Sequence, residues 1–147
     1  MSFNTYSLLL QQAEALISSE PDFIANAANI ASLLFNNLEN VNWAGFYILR
    51  GDELVLGPFN GQVACTRIPL GKGVCGTAFS ENKTLVVKDV HAFDGHIACD
   101  AASESEVVVP FSRPEFSGVL DIDSPIMNRF GENEKQFFEA IVKLLER

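Results

Sequence analysis

Basic residues are scarce in this chain of 147 residues: ten Lys and Arg stand against nineteen Asp and Glu, a formal net charge of -9. The ten cations are scattered along the sequence, which excludes the clustered positive surface that phosphate binding requires, so no nucleic-acid partner is expected. Long apolar runs are missing as well. No stretch approaches the roughly 20 residues of a membrane span, and the opening Met1-Ser2-Phe3-Asn4-Thr5-Tyr6 lacks the basic and then apolar pattern of a leader, so a cytoplasmic protein with no membrane partner is expected. Cysteine occurs three times, an odd number too small for the disulfide framework of a secreted scaffold. The three thiols are expected to be buried, metal-bound or reactive.

What is present is the composition of an ordinary globular protein, 48% hydrophobic and 20% charged, of a length suited to one domain over residues 1–147. Tyr6, Leu9, Leu10, Ala13, Leu16 and Ile17 recur at helical spacing. Ser18 to Asp22 breaks that pattern, and Pro21 is read as lying just inside a second helix whose stripe is Phe23, Ala27, Ile30, Ala31, Leu34 and Leu38. From Asn42 onward aromatic and β-branched runs predict a hairpin, Trp43 to Leu49 and Glu53 to Phe59, around Gly51-Asp52. A helix from about Val74 to Asn82, a strand over Leu85 to Val87, an irregular loop from His91 to Ala102 and strands over Glu106 to Phe111 and Ser117 to Asp123 follow. An amphipathic helix carrying Phe137, Phe138, Ile141, Val142, Leu144 and Leu145 closes the chain. This order predicts an α+β fold with helices segregated to one face of an antiparallel sheet.

Few segments carry chemistry. Gly71-Lys72-Gly73-Val74-Cys75-Gly76 is glycine-rich but lacks the Gly-x-x-x-x-Gly-Lys-Ser/Thr order of a phosphate loop, so it reads as a tight turn entering a helix. Cys65, Cys75 and Cys99 with His91 and His96 lack the paired knuckles of a zinc site, and no metal or other cofactor is expected. Cys75, between Val74 and Gly76, suits simple burial. Cys99 suits it least, because Gly95-His96-Ile97-Ala98-Cys99-Asp100 offers little to bury it, and a half-exposed thiol beside histidine gains thiolate character that Asp100 opposes. Glu104, Glu106, Asp121, Asp123 and Glu132 gather late in the chain. Asp121 and Asp123 alternate with Ile122 and so share one strand face, which is either solvated or built to meet a cation or hold a proton.

Four segments together resemble the free methionine-(R)-sulfoxide reductases, which are stand-alone GAF-domain enzymes. They are Asn42 to Tyr47, Gly71 to Ala78, Asp89 to Asp100 and Gly118 to Pro125, and all three cysteines fall in that family's order and spacing. The resemblance implies a GAF-type domain, its terminal helices on one sheet face and a loop-rich ligand pocket on the other. It implies Cys99 as the attacking thiolate, Cys65 as the principal resolving cysteine and Cys75 as a second one. It also implies Glu106, Asp121 and Asp123 at the substrate's ammonium and sulfoxide ends, with Trp43 and Tyr47 walling the pocket. The implied reaction is reduction of free methionine-R-sulfoxide with thioredoxin as reductant, in a chain that forms a homodimer. Two other readings compete: a non-catalytic GAF module that binds a small ligand, and a thiol-based redox sensor.

Overall fold

The computed structural model describes residues 2–97, 99 and 101–147; Asp100, weighed above as a neighbour of Cys99, lies outside the described residues, as does Ala98. Two helices come first. Ser2 caps α1 (Phe3–Ile17) by accepting the Thr5 N–H at 3.3 Å, and Asp22 caps α2 (Phe23–Asn37) by accepting the Ala25 N–H at 2.9 Å. Pro21 therefore stands ahead of the cap and outside α2, because the Asp22 carboxylate takes the capping position. Leu16, at the edge of the stripe set by Tyr6, Leu9 and Ala13, is exposed on the last turn of α1.

The strands are β1 (Trp43–Arg50), β2 (Glu53–Gly61), β3 (Arg67–Pro69), β4 (Leu85–Val87), β5 (Ser105–Ser112) and β6 (Ser117–Ser124). They form a six-stranded antiparallel sheet in the order β3-β2-β1-β6-β5-β4. Helix α3 (Gly73–Glu81) lies between β3 and β4, ended by Asn82 in the left-handed conformation, and α4 (Glu132–Leu145) follows β6. The described residues between 91 and 102, namely 91–97, 99, 101 and 102, form no regular helix or strand apart from a single 3-10 turn at Val90–Ala92, as the sequence predicts.

Strand alternation divides the side chains between two cores. Phe46 and Ile48 of β1, Val107 and Val109 of β5, and Leu120 and Ile122 of β6 face α1, α2 and α4, where Ile30, Leu34, Phe138 and Ile141 are fully enclosed. Trp43, Tyr47, Val108 and Val119 emerge on the opposite face and meet Val74, Cys75 and Ala78 of α3. The helical side is thus a large apolar core. The α3 side is smaller, and its apolar packing gives way to polar groups.

Leu34 has no exposed surface. Leu34→Ala should lower unfolding free energy by about 2–5 kcal/mol, the usual cost of emptying a core leucine site, read from the urea midpoint at constant slope.

Candidate active site

The polar groups on the α3 side come from strand register. Glu106 of β5 lies directly opposite Asp123 of β6, and Val108 lies opposite Asp121, which puts Asp121 on the diagonal from Glu106. On the other side of β6, Trp43 of β1 pairs with Asp123 and Gly45 with Asp121. Glu106, Asp121 and Asp123 are 7%, 5% and 8% exposed, so the solvated-face reading of the two aspartates is wrong: α3 and the loop beyond β4 cover them. Glu104 and Glu132 do not join this group. Glu104 precedes β5 and pairs with His91 at 3.1 Å on the surface, whereas Glu132 is exposed in the first turn of α4.

Cys65 and Cys99 are joined as a disulfide, with their Cα atoms 5.3 Å apart. The bond ties the segment after β2 to the loop that follows the 3-10 turn. Both partners are held by neighbours. The Tyr47 hydroxyl donates to the Cys65 carbonyl at 2.8 Å, and the Trp43 indole N–H donates to the Gln62 carbonyl at 3.1 Å, so two pocket aromatics pin the segment bearing Cys65. The loop bearing Cys99 is tied at its base by the Val90 N–H, which donates to the Glu104 carbonyl at 2.9 Å. Farther along, Ile97 leans on Gly73, where φ is +62° and an added Cβ would come within 3.1 Å of the isoleucine side chain. Glycine permits that backbone angle and that close approach. The five cysteines and histidines do not assemble as one metal group, because two sulfurs are bonded to each other and His91 is on the surface.

A cavity of about 40 Å3, room for a few waters, lies between these parts. Its wall carries Trp43, Tyr47, Cys75, Cys99, Glu106, Asp121 and Asp123, so every expected site residue except Cys65 lines it. Cys65 stands just outside, bonded to Cys99. Trp43, paired with Asp123 across β1 and β6, stacks between Tyr47 and Phe59, with ring centroids 5.8 and 5.2 Å away.

The wall contains no Lys or Arg among the described residues. Burial, followed by the adjacent Asp121 and Asp123, holds the Glu106 carboxyl well above its usual range, which favours its protonated form. Burial also raises Asp121, although its contacts with Glu106 and Cys75 partly offset that rise. The Cys75 thiol is pushed well up by burial and then by Asp121 and Glu106, and it is protonated. Tyr47 is raised as well, chiefly by burial and then by Asp121. His96, lowered by burial, leans toward its neutral form. The Asp121 Oδ1 atom is buried with no hydrogen-bond partner among the described residues. Chemically, the cavity can give a proton from Glu106, accept a cation at Asp121, and expose the Cys99 sulfur once the disulfide is reduced.

Ala64, Ile68, Gly73, Val74, His96, Ile97 and Ser103 also line the cavity, and sequence reasoning gave none of them a place in the pocket. His96 and Ile97 could have been found from their position beside Cys99. Ser103 carried no such signal, because it is recruited by the Asn42 amide, which donates to its hydroxyl at 3.3 Å across the fold.

Comparison with known proteins agrees with this geometry. The family model described as "GAF domain" matches residues 22–147, which makes the chain a GAF-domain protein. A curated relative, the free methionine-R-sulfoxide reductase of Escherichia coli K12, is 50% identical over 143 residues, covering 97% of this chain and 87% of the relative. Two solved structures of fRMsr from Staphylococcus aureus, one reduced and one in complex with substrate, superimpose with TM-scores of 0.92 and 0.90 at 56% identity. They cover 96% of this chain and 92% and 93% of their own. The chain belongs to the free methionine-R-sulfoxide reductase family.

The acid cluster has a pH signature. Glu106 holds its proton to a higher pH when folded than its ordinary 4.5, so the folded state binds more protons and stability falls as pH rises above that value. Glu106→Gln should therefore raise the urea midpoint at pH 7, by about 1.4 kcal/mol of stability per unit of displaced pKa, and the gain should shrink at pH 4.

Proposed function

We propose that this protein reduces free methionine-R-sulfoxide to methionine, using Cys99 as nucleophile and Cys65 as resolving thiol. The observation that carries the reading is the Cys65–Cys99 disulfide at the edge of a cavity whose acid wall contains no Lys or Arg among the described residues. A free amino acid brings an ammonium that can pair with Asp121, whose Oδ1 has no hydrogen-bond partner among the described residues; a peptide-bound methionine lacks that charge.

A sulfoxide sulfur becomes electrophilic when its oxygen is protonated, and Glu106 is the group in the wall that holds a proton for it. The Cys99 thiolate attacks, the S–O bond passes to the cysteine sulfur, and methionine leaves with Cys99 as a sulfenic acid. The Cys65 thiol then displaces that hydroxyl as water and forms the disulfide. A dithiol reductant restores both thiols by exchange and is itself oxidised. Trp43 and Tyr47 supply the apolar wall for the substrate's methyl group and side chain. Cys65 resolves before Cys75, because it is already bonded to Cys99 while burial and neighbouring carboxyls keep Cys75 protonated. Thioredoxin as reductant, a cytoplasmic setting and a homodimer belong to this reading through family resemblance.

The test is NADPH consumption with free methionine-R-sulfoxide, thioredoxin and thioredoxin reductase. Wild type should turn over, Cys99→Ser should not, and Cys65→Ser should release about one equivalent of methionine and then stop. Absence of turnover in wild type would return the chain to a ligand-binding or redox-sensing role. Asp121→Asn should raise KM for the free amino acid by roughly 10- to 100-fold, the loss of a charge-assisted contact of about 1.5–3 kcal/mol. An unchanged KM would remove Asp121 from substrate binding.

A further inference from the structure

The cavity holds a sulfur that the proposed reaction does not use. Cys75 remains a buried free thiol while the other two cysteines are bonded to each other. Its Sγ, a carboxylate oxygen of Glu106 and a carboxylate oxygen of Asp121 all lie within 4.8 Å of one another. That spacing lets one ion reach all three at bond lengths of about 2.0–2.3 Å with small side-chain movements. A second observation points the same way: Asp121 Oδ1 is buried without a hydrogen-bond partner among the described residues, in a residue that is 5% exposed.

Donor chemistry narrows the ion. Magnesium and calcium take oxygen ligands and gain nothing from a thiolate, whereas zinc and cadmium accept mixed sulfur and oxygen donors. His96 lines the same cavity but lies outside the set of donors that are within 4.8 Å of one another. We propose that this pocket is a binding site for a thiophilic divalent cation, zinc or cadmium, held by Cys75, Glu106 and Asp121. Binding forms a metal–sulfur bond and releases the Cys75 proton, along with the proton on Glu106, to solvent; no electron is transferred. The ion replaces the positive charge that the wall lacks. It thereby competes with an amino-acid ammonium, and that competition alone rests on the function proposed above.

The disulfide form gives a clean test, because Cys75 is then the one free thiol among three cysteines. Cadmium added alone to the oxidised wild-type protein should develop the ultraviolet charge-transfer band of a single cadmium–thiolate bond, saturating at one equivalent, and zinc should displace it. Cys75→Ser should abolish the band, and Asp121→Asn should weaken binding at least tenfold. His91→Ala, which disables the surface group of Asp89, His91 and Glu104, should leave it unchanged. No band in the wild type, or equal affinity in Asp121→Asn, would overturn the site. Free methionine, which carries the same ammonium as the sulfoxide, should lower the band. A band that methionine fails to lower supports the metal site and removes the ammonium from the Asp121 subsite.

Discussion

The site depends on one constraint: three carboxyl groups and a thiol are buried together with no lysine or arginine among the described residues of the wall around them. Buried carboxylates with no counter-charge are costly, so the cluster lowers its own charge by retaining protons, most strongly on Glu106. The same deficit makes it receptive to a cation entering from solvent. In the proposed reaction, the stored proton would go to the sulfoxide oxygen and the negative charge would meet the substrate's ammonium.

The fold sustains that arrangement by dividing work between the two faces of one sheet. The helical face encloses Ile30, Leu34, Phe138, Ile141 and their neighbours and supplies most of the apolar burial. With stability secured there, the α3 face can carry destabilising groups in register on β5 and β6, where Glu106 and Asp123 sit directly across from each other. The aromatic row of Phe59, Trp43 and Tyr47 serves both faces of this problem. Trp43 and Tyr47 wall the cavity with apolar surface, while their indole N–H and hydroxyl anchor residues 62–65 beside the loop that bears Cys99. The thiol chemistry therefore sits on irregular segments that a rigid sheet positions.

Much of the fold was legible because its signals are local. The alternation of Asp121, Ile122 and Asp123 placed both acids on one face, and the stripes of α2 and α4 named their buried residues. The glycine-rich turn into α3 and the left-handed cap at Asn82 fell where composition put a short helix. Reading Pro21 as helical failed because the competing signal, the Asp22 cap, lay one residue further on. The burial of the acid face was not legible, since whether a polar strand face is solvated depends on what packs over it. Glu104 and Glu132 looked equivalent to Glu106 in composition, yet one ends on a surface histidine and the other on an exposed helix turn.

By itself, then, the sequence determined residue types, local periodicity and the order of the three cysteines, because these follow from side-chain chemistry and from the repeats of helix and strand. Tertiary structure alone decided the rest. It brought Cys65 and Cys99, 34 residues apart, into a bond, and it set Glu106 across from Asp123. It also closed α3 and the Cys99 loop over carboxyl groups that would otherwise face water. Each of these is a contact between segments distant in the chain, and desolvation, which gives the acids their altered protonation, exists only once those segments pack.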